Sequence, residues 1–137
     1  MTEKEIYIEI AERFIQCCAD QITNSIDYQE TIGFKAYHAF ESIGGAFNSH
    51  LGRTVPGKHN AKINSFVNNY RHNAFSTINP LTIAKMAIAL NSMRNKYLYP
   101  YPTPIGLKAP KDQITLAQAR QLTSRINGII RHLVSAM

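Results

Sequence analysis

Ala36-Tyr37-His38-Ala39-Phe40-Glu41-Ser42-Ile43-Gly44-Gly45-Ala46-Phe47-Asn48-Ser49-His50-Leu51 is the stretch whose periodicity decides the fold. Ala36, Phe40, Ile43, Phe47 and Leu51 recur at steps of three and four, the spacing at which side chains share one face of a helix. Gly52 then stands as a terminator. Upstream, Asp27-Tyr28-Gln29-Glu30 has the form of a capping box that would open this second helix. Gly44-Gly45 in its interior costs roughly 1 kcal/mol per residue against alanine, which predicts either a close helix crossing or a local kink.

The flanking segments read the same way. Thr2-Glu3-Lys4-Glu5 is a capping box before a stripe of Ile6, Ile10, Phe14, Cys17 or Cys18, and Ile22, predicting a first helix over about residues 3 to 25. Ile63, Phe66 or Val67, Tyr70 and Ala74 form a shorter third stripe after a loop containing Pro56-Gly57. Asn79 caps a fourth helix whose first residue is Pro80, with Ile78 and Ile83 at staple positions. Its apolar face runs through Ile83, Met86, Leu90 and Met93 to Tyr97, and it must stop before Pro100. Residues 100 to 112 read as a proline-rich linker, and Thr115-Leu116-Ala117-Gln118 caps a fifth helix carrying Leu122, Ile126, Ile130 and Leu133. Five amphipathic segments with no alternating strand pattern predict an all-α antiparallel bundle, folded as one domain over residues 1–137.

Composition narrows the function. At 45% hydrophobic and 18% charged residues the chain is neither collagen-like nor disordered. No apolar run approaches the roughly 18 residues of a membrane span, and the charged start has no signal-peptide character, so a cytoplasmic protein away from membranes is expected. Cys17 and Cys18 are neighbours on one helix, unsuited to a disulfide and better read as structural thiols. His38, His50, His59, His72 and His132 lack a metal-binding spacing, so neither a metal nor another cofactor is expected. Gly52 to His59 imitates a phosphate-binding P-loop but has His59 in place of the final hydroxyl and follows a helix, which leaves a solvated turn with Arg53 and Lys58 as weak anion contacts.

Charge is divided unevenly. Residues 1–41 hold eight acids against three bases, and the remaining 96 residues hold Asp112 alone against twelve bases. Either the basic surface attracts a polyanion, or the acidic first helix neutralises it within the fold or a dimer. The segment Met93-Arg94-Asn95-Lys96-Tyr97-Leu98-Tyr99-Pro100-Tyr101 favours the first: a guanidinium grips phosphate bidentately and nearby tyrosines stack bases. The competing reading has Arg94 at the core edge and the tyrosines packing the linker.

The order of these segments resembles the HEPN family of nucleotide-binding helical domains across nearly the whole chain. Gly33 to Glu41 is similar to the family's second helix, His59 to Phe66 to its short third helix, Met93-Arg94-Asn95-Lys96 to the start of its Arg-to-His motif, and the segment from Thr115 to its closing helix. The resemblance implies an up-and-down four-helix core plus a short helix, a homodimer with two Arg94 segments at a shared cleft, and RNA or a nucleotide as ligand. Arg94, Asn95, Lys96, Tyr99, Tyr101, Lys58 and Arg71 would form the binding surface.

Ribonuclease members place a histidine four to six residues after the arginine; here Tyr99 stands there, so Arg94 and Tyr99 hold the catalytic positions. Tyrosine keeps its proton near neutral pH, and losing a general acid–base costs about 10² to 10⁴ in rate, so weak or absent cleavage is expected. His59 or His72 would have to fold back to replace the missing histidine. Tyr101, two residues beyond Tyr99, matches the tyrosine that a nucleotidyltransferase-like antitoxin modifies in toxin members of the family. The alternatives are a partner-docking bundle without a nucleic-acid ligand, and a toxin ribonuclease of a toxin-antitoxin pair.

Overall fold

A computed structural model describes residues 1–24, 28–74 and 77–137. Five helices account for most of it: α1 (Glu3–Thr23), α2 (Gln29–His50), α3 (His59–Asn73), α4 (Pro80–Met93) and α5 (Leu116–Ala136). The all-α reading holds, and none of the helices among the described residues is long and apolar enough to cross a membrane.

Local signals set the helix ends. Thr2 and Thr115 both close reciprocal capping boxes, with Glu5 and Gln118 reaching back to the cap amides. Asn79 accepts from the Leu81 amide ahead of Pro80. Gly52 ends the second helix with φ of 68°. Asp27, expected to cap α2, lies outside the described residues, as does Ser25 at the expected end of α1; Tyr28 occupies the cap of α2 without a side-chain bond.

α2 is the axis of the molecule, packing against α1, α3 and α5, while α4 rests on α3. The sequence stripe understated its burial. From Ala39 to Asn48 every residue is buried, because small residues let neighbours close in on several sides. A Cβ at Gly44 would lie 2.7 Å from the Phe66 ring, and one at Gly45 would lie 3.0 Å from the Tyr7 ring. The glycine pair therefore marks a close crossing of α2 with α3 on one side and α1 on the other. Phe40, Phe47, Phe66 and Tyr70 interlock around it, with ring centroids 5.3 to 6.0 Å apart.

Two features depart from the sequence reading. α4 ends at Met93 rather than continuing to Tyr97; Arg94 caps it and residues Asn95–Tyr97 tighten into a 3-10 turn. The expected linker contains a small antiparallel hairpin, β1 (Tyr101–Thr103) and β2 (Gly106–Lys108), with Thr103 opposite Gly106. Pro104-Ile105 forms its turn, and Gly106 takes a φ of 134° that side chains rarely adopt. Three-residue strands are too short to show alternation in sequence.

The charge split also resolves. Glu3, Glu5, Glu9, Glu12 and Asp20 are exposed along α1, Arg120, Arg125 and Arg131 are exposed along α5, and the ion pairs among the described residues all belong to Glu41. Cys18 is buried with its Sγ 3.5 Å from the Ile32 carbonyl oxygen, and burial pushes its thiol up to about 12. Both cysteines are free.

Replacing Gly44 by alanine is expected to lower stability by about 1–3 kcal/mol despite the better helix propensity, because the Cβ meets Phe66. Gly128→Ala, inside α5 with open space around it, should instead be neutral or stabilising by up to about 1 kcal/mol. Urea unfolding of both variants checks the contrast, and equal effects would contradict the close crossing.

Candidate functional site

Glu41 is a carboxylate that the fold buries almost completely, at 4% exposure, in the middle of its central helix. Such a charge must be matched by partners. His59 Nδ1 lies 2.7 Å from its Oε2, and Lys62 Nζ donates to its Oε1 at 3.2 Å. Both partners come from the first turn of α3, one helical step apart, so the pair of contacts also fixes the rotation of α3 on α2.

His38 lies three residues before Glu41, on the same face of α2. Its ring is held by aromatic neighbours: stacked on Phe14 with centroids 5.4 Å apart, edge-on to Phe34 at 4.4 Å, and edge-on to His59 at 5.6 Å. It makes no hydrogen bond among the described residues. Burial holds the His38 imidazole below the usual histidine range; Glu41 opposes this, and His59, Arg94 and Lys62 reinforce it. Tyr37, also on α2, has a buried hydroxyl close to Glu41. Burial first, and then the Glu41 charge, push that hydroxyl up to about 12, so it keeps its proton.

Arg94 enters this cluster from the end of α4. The anchor is Tyr97: it is buried, and its ring occupies the space where a Cβ on Gly33 would sit, 2.9 Å away, which ties the turn after α4 to the start of α2. With that turn fixed, the Arg94 guanidinium lies over the Tyr37 ring, 5.7 Å from its centroid. Nη1 donates to Asn95 Oδ1 at 3.2 Å, and Nε is buried without a partner among the described residues. The side chain is thus half-buried, with its Nε covered and its Nη1 at the surface on Asn95.

The expected site residues divide. Arg94 and Asn95 are together, and Lys58 is exposed directly before His59. Tyr99 is 61% exposed and Tyr101 is 43% exposed; the Lys96 ammonium stands 4.6 Å over the Tyr101 ring, which leaves Tyr101 reachable from solvent. Arg71 and His72 are exposed in the last turn of α3. Twelve residues of helix, about 18 Å, separate Arg71 from His59, so Arg71 stands apart from the cluster. Of the two histidines named as replacements for the missing one, His59 is at the cluster and His72 is at the far end of the same helix.

The sequence reading missed Tyr37, His38, Glu41 and Lys62 as site residues. One local signal was present, since His38 and Glu41 are spaced to share a helix face. Their meeting with α3 is tertiary and has no signature in spacing. A groove of 720 Å³ between α4 and α5, lined by Met86, Met93, Leu122 and Ile129, does not include Arg94 in its lining.

Comparison with known proteins returns no family model, no curated protein and no solved structure that matches the chain.

A histidine whose pKa is lowered on folding resists protonation in the folded state. Its contribution to stability is complete above its ordinary value of about 6.5 and is lost as pH falls from there toward the lowered value. Thermal unfolding between pH 7.5 and pH 5 should show a drop in midpoint that is smaller in His38→Gln. An identical pH slope in both proteins would remove the buried, neutral imidazole.

Proposed function

We propose that this chain is an RNA- or nucleotide-binding helical domain that resembles the HEPN family, with Arg94 as its phosphate contact. The observation that carries the reading is the Arg94 guanidinium over the Tyr37 ring, with its Nε buried and without a partner among the described residues, close enough to His38 for its charge to be felt there. Charge-assisted bonds from such a group to phosphate oxygens are the strong kind. The exposed arginines of α5 and the unpaired basic majority of the chain add a positive field that draws a polyanion toward the protein. A homodimer belongs to the same reading, since two Arg94 segments across one cleft double the cations facing a strand.

A second step is favoured by the His59–Glu41 pair. Tyrosine at position 99 is a poor proton carrier, and in this reading His38 on α2 and His59 on α3 take the part of the histidine lacking after Arg94. His38, held neutral, accepts the proton of a ribose 2′-hydroxyl. The freed oxygen attacks phosphorus and the bond from phosphorus to the 5′-oxygen breaks. His59, with Nδ1–H donated to Glu41, delivers the proton from Nε2 to the departing oxygen. Arg94 and Lys62 balance the charge on the phosphoryl oxygens. The products are a 2′,3′-cyclic phosphate and a 5′-hydroxyl. This reading replaces the weak cleavage expected from Tyr99 with a histidine-dependent one.

Binding and cutting are tested separately. Fluorescence anisotropy with a single-stranded RNA oligonucleotide in EDTA should show Arg94→Ala weakening binding by about 10- to 100-fold. Unchanged affinity with an unchanged salt dependence would overturn the site. Incubation with end-labelled RNA should give cyclic-phosphate ends, with His59→Ala slower by about 10²-fold or more and Tyr99→Phe unaffected. Wild-type protein that binds RNA and forms no product would remove the cleavage step and leave the binding domain.

A further inference from the structure

The three groups His38, Glu41 and His59 have a property that phosphate binding does not use. Their ligand-bearing atoms all lie within 4.8 Å of one another. The His38 ring is fixed in its plane by Phe14 and Phe34, and neither of its nitrogens is hydrogen-bonded among the described residues. Glu41 is held in place through Oε1 by Lys62, which leaves Oε2 directed at His59. The His59 side chain is 43% exposed and opens the helix α3, so it can move toward the other two and admits solvent to the cluster.

Neighbouring ligands on a first-row ion with bonds of about 2.1 Å lie about 3 to 3.5 Å apart, and the ligand atoms here stand within 4.8 Å of one another, with His59 Nδ1 and Glu41 Oε2 at 2.7 Å. Two imidazoles and one carboxylate form a set that takes zinc-like ions and discriminates against magnesium and calcium, which prefer oxygen ligands. Lys62 would then act as an outer partner that orients the ligating carboxylate.

We propose that His38, Glu41 and His59 bind one divalent transition-metal ion of the zinc class, with the remaining coordination position open on the His59 side. The ion displaces the proton shared between His59 Nδ1 and Glu41 Oε2. Lys62 and Arg94 nearby make an anionic ligand, such as hydroxide or a phosphate oxygen, the preferred occupant of the open position. Metal and proton transfer use the same lone pairs, so at any moment the cluster does one or the other.

Isothermal titration of zinc chloride into untagged, metal-free, full-length protein at pH 7.5, with no nucleic acid present, tests the site. Saturable uptake of a single ion per chain is expected, lost in His38→Ala and in His59→Ala and retained in His72→Ala, whose side chain is exposed at the other end of α3. Circular dichroism of each variant verifies the helices, and His59→Ala, half-exposed, carries the smaller folding risk. Arg94→Ala should take up zinc as the wild type does while losing RNA, which keeps this result separate from the phosphate reading. No saturable uptake by the wild type, or uptake that survives in both His38→Ala and His59→Ala, overturns the proposal.

Discussion

A single buried carboxylate sets the requirements for the rest of the structure. Glu41 lies in the part of α2 where every side is covered, and its charge is tolerated because Lys62 and His59 meet both oxygens. Removing one partner of a buried charge costs about 3–5 kcal/mol, several times what an apolar contact of similar size contributes, so the pair on α3 cannot rotate away without penalty. One turn further along, Gly44 admits Phe66 to van der Waals distance. The polar pairing and the close crossing therefore fix the same helix pair at two levels, one in register and one in depth.

The consequence is a polar cluster placed at the end of a hydrophobic core. Tyr37, His38 and Glu41 project from α2, His59 and Lys62 from α3, and Arg94 arrives from α4 because Tyr97 fills the notch at Gly33. One group in the cluster, Arg94 Nε, is buried and has no partner among the described residues. Buried polar groups without partners are uncommon in folded proteins. Glu41 holds the two helices together, and in doing so orients His59.

Much of the fold was legible in the sequence because its signals are local. Capping at Thr2 and Thr115 depends on residues three apart and at Asn79 on residues two apart, and each cap formed as its spacing required. The glycine pair announced a constraint but not its nature, which depends on Phe66 and Tyr7 arriving from other helices. The hairpin after Pro100 was hidden by its shortness. In the site, Arg94 was visible as a cation at a helix end, whereas Tyr99 and Arg71 shared its composition without sharing its position. His38 and Glu41 looked like ordinary members of a core helix, since only the packing of α3 shows that their face is polar.

The central claim is that Arg94 and the two histidines form one ligand-facing set. Nitrogen-15 NMR of the arginine Nε–H and histidine ring signals, followed while a ribonucleoside 3′-monophosphate is added, tests it most directly. The account predicts that Arg94, His38 and His59 shift together along one saturation curve, with Arg71 and His72 unmoved. Shifts spread over the exposed lysines and arginines, with the Arg94 Nε–H signal unchanged, would contradict it.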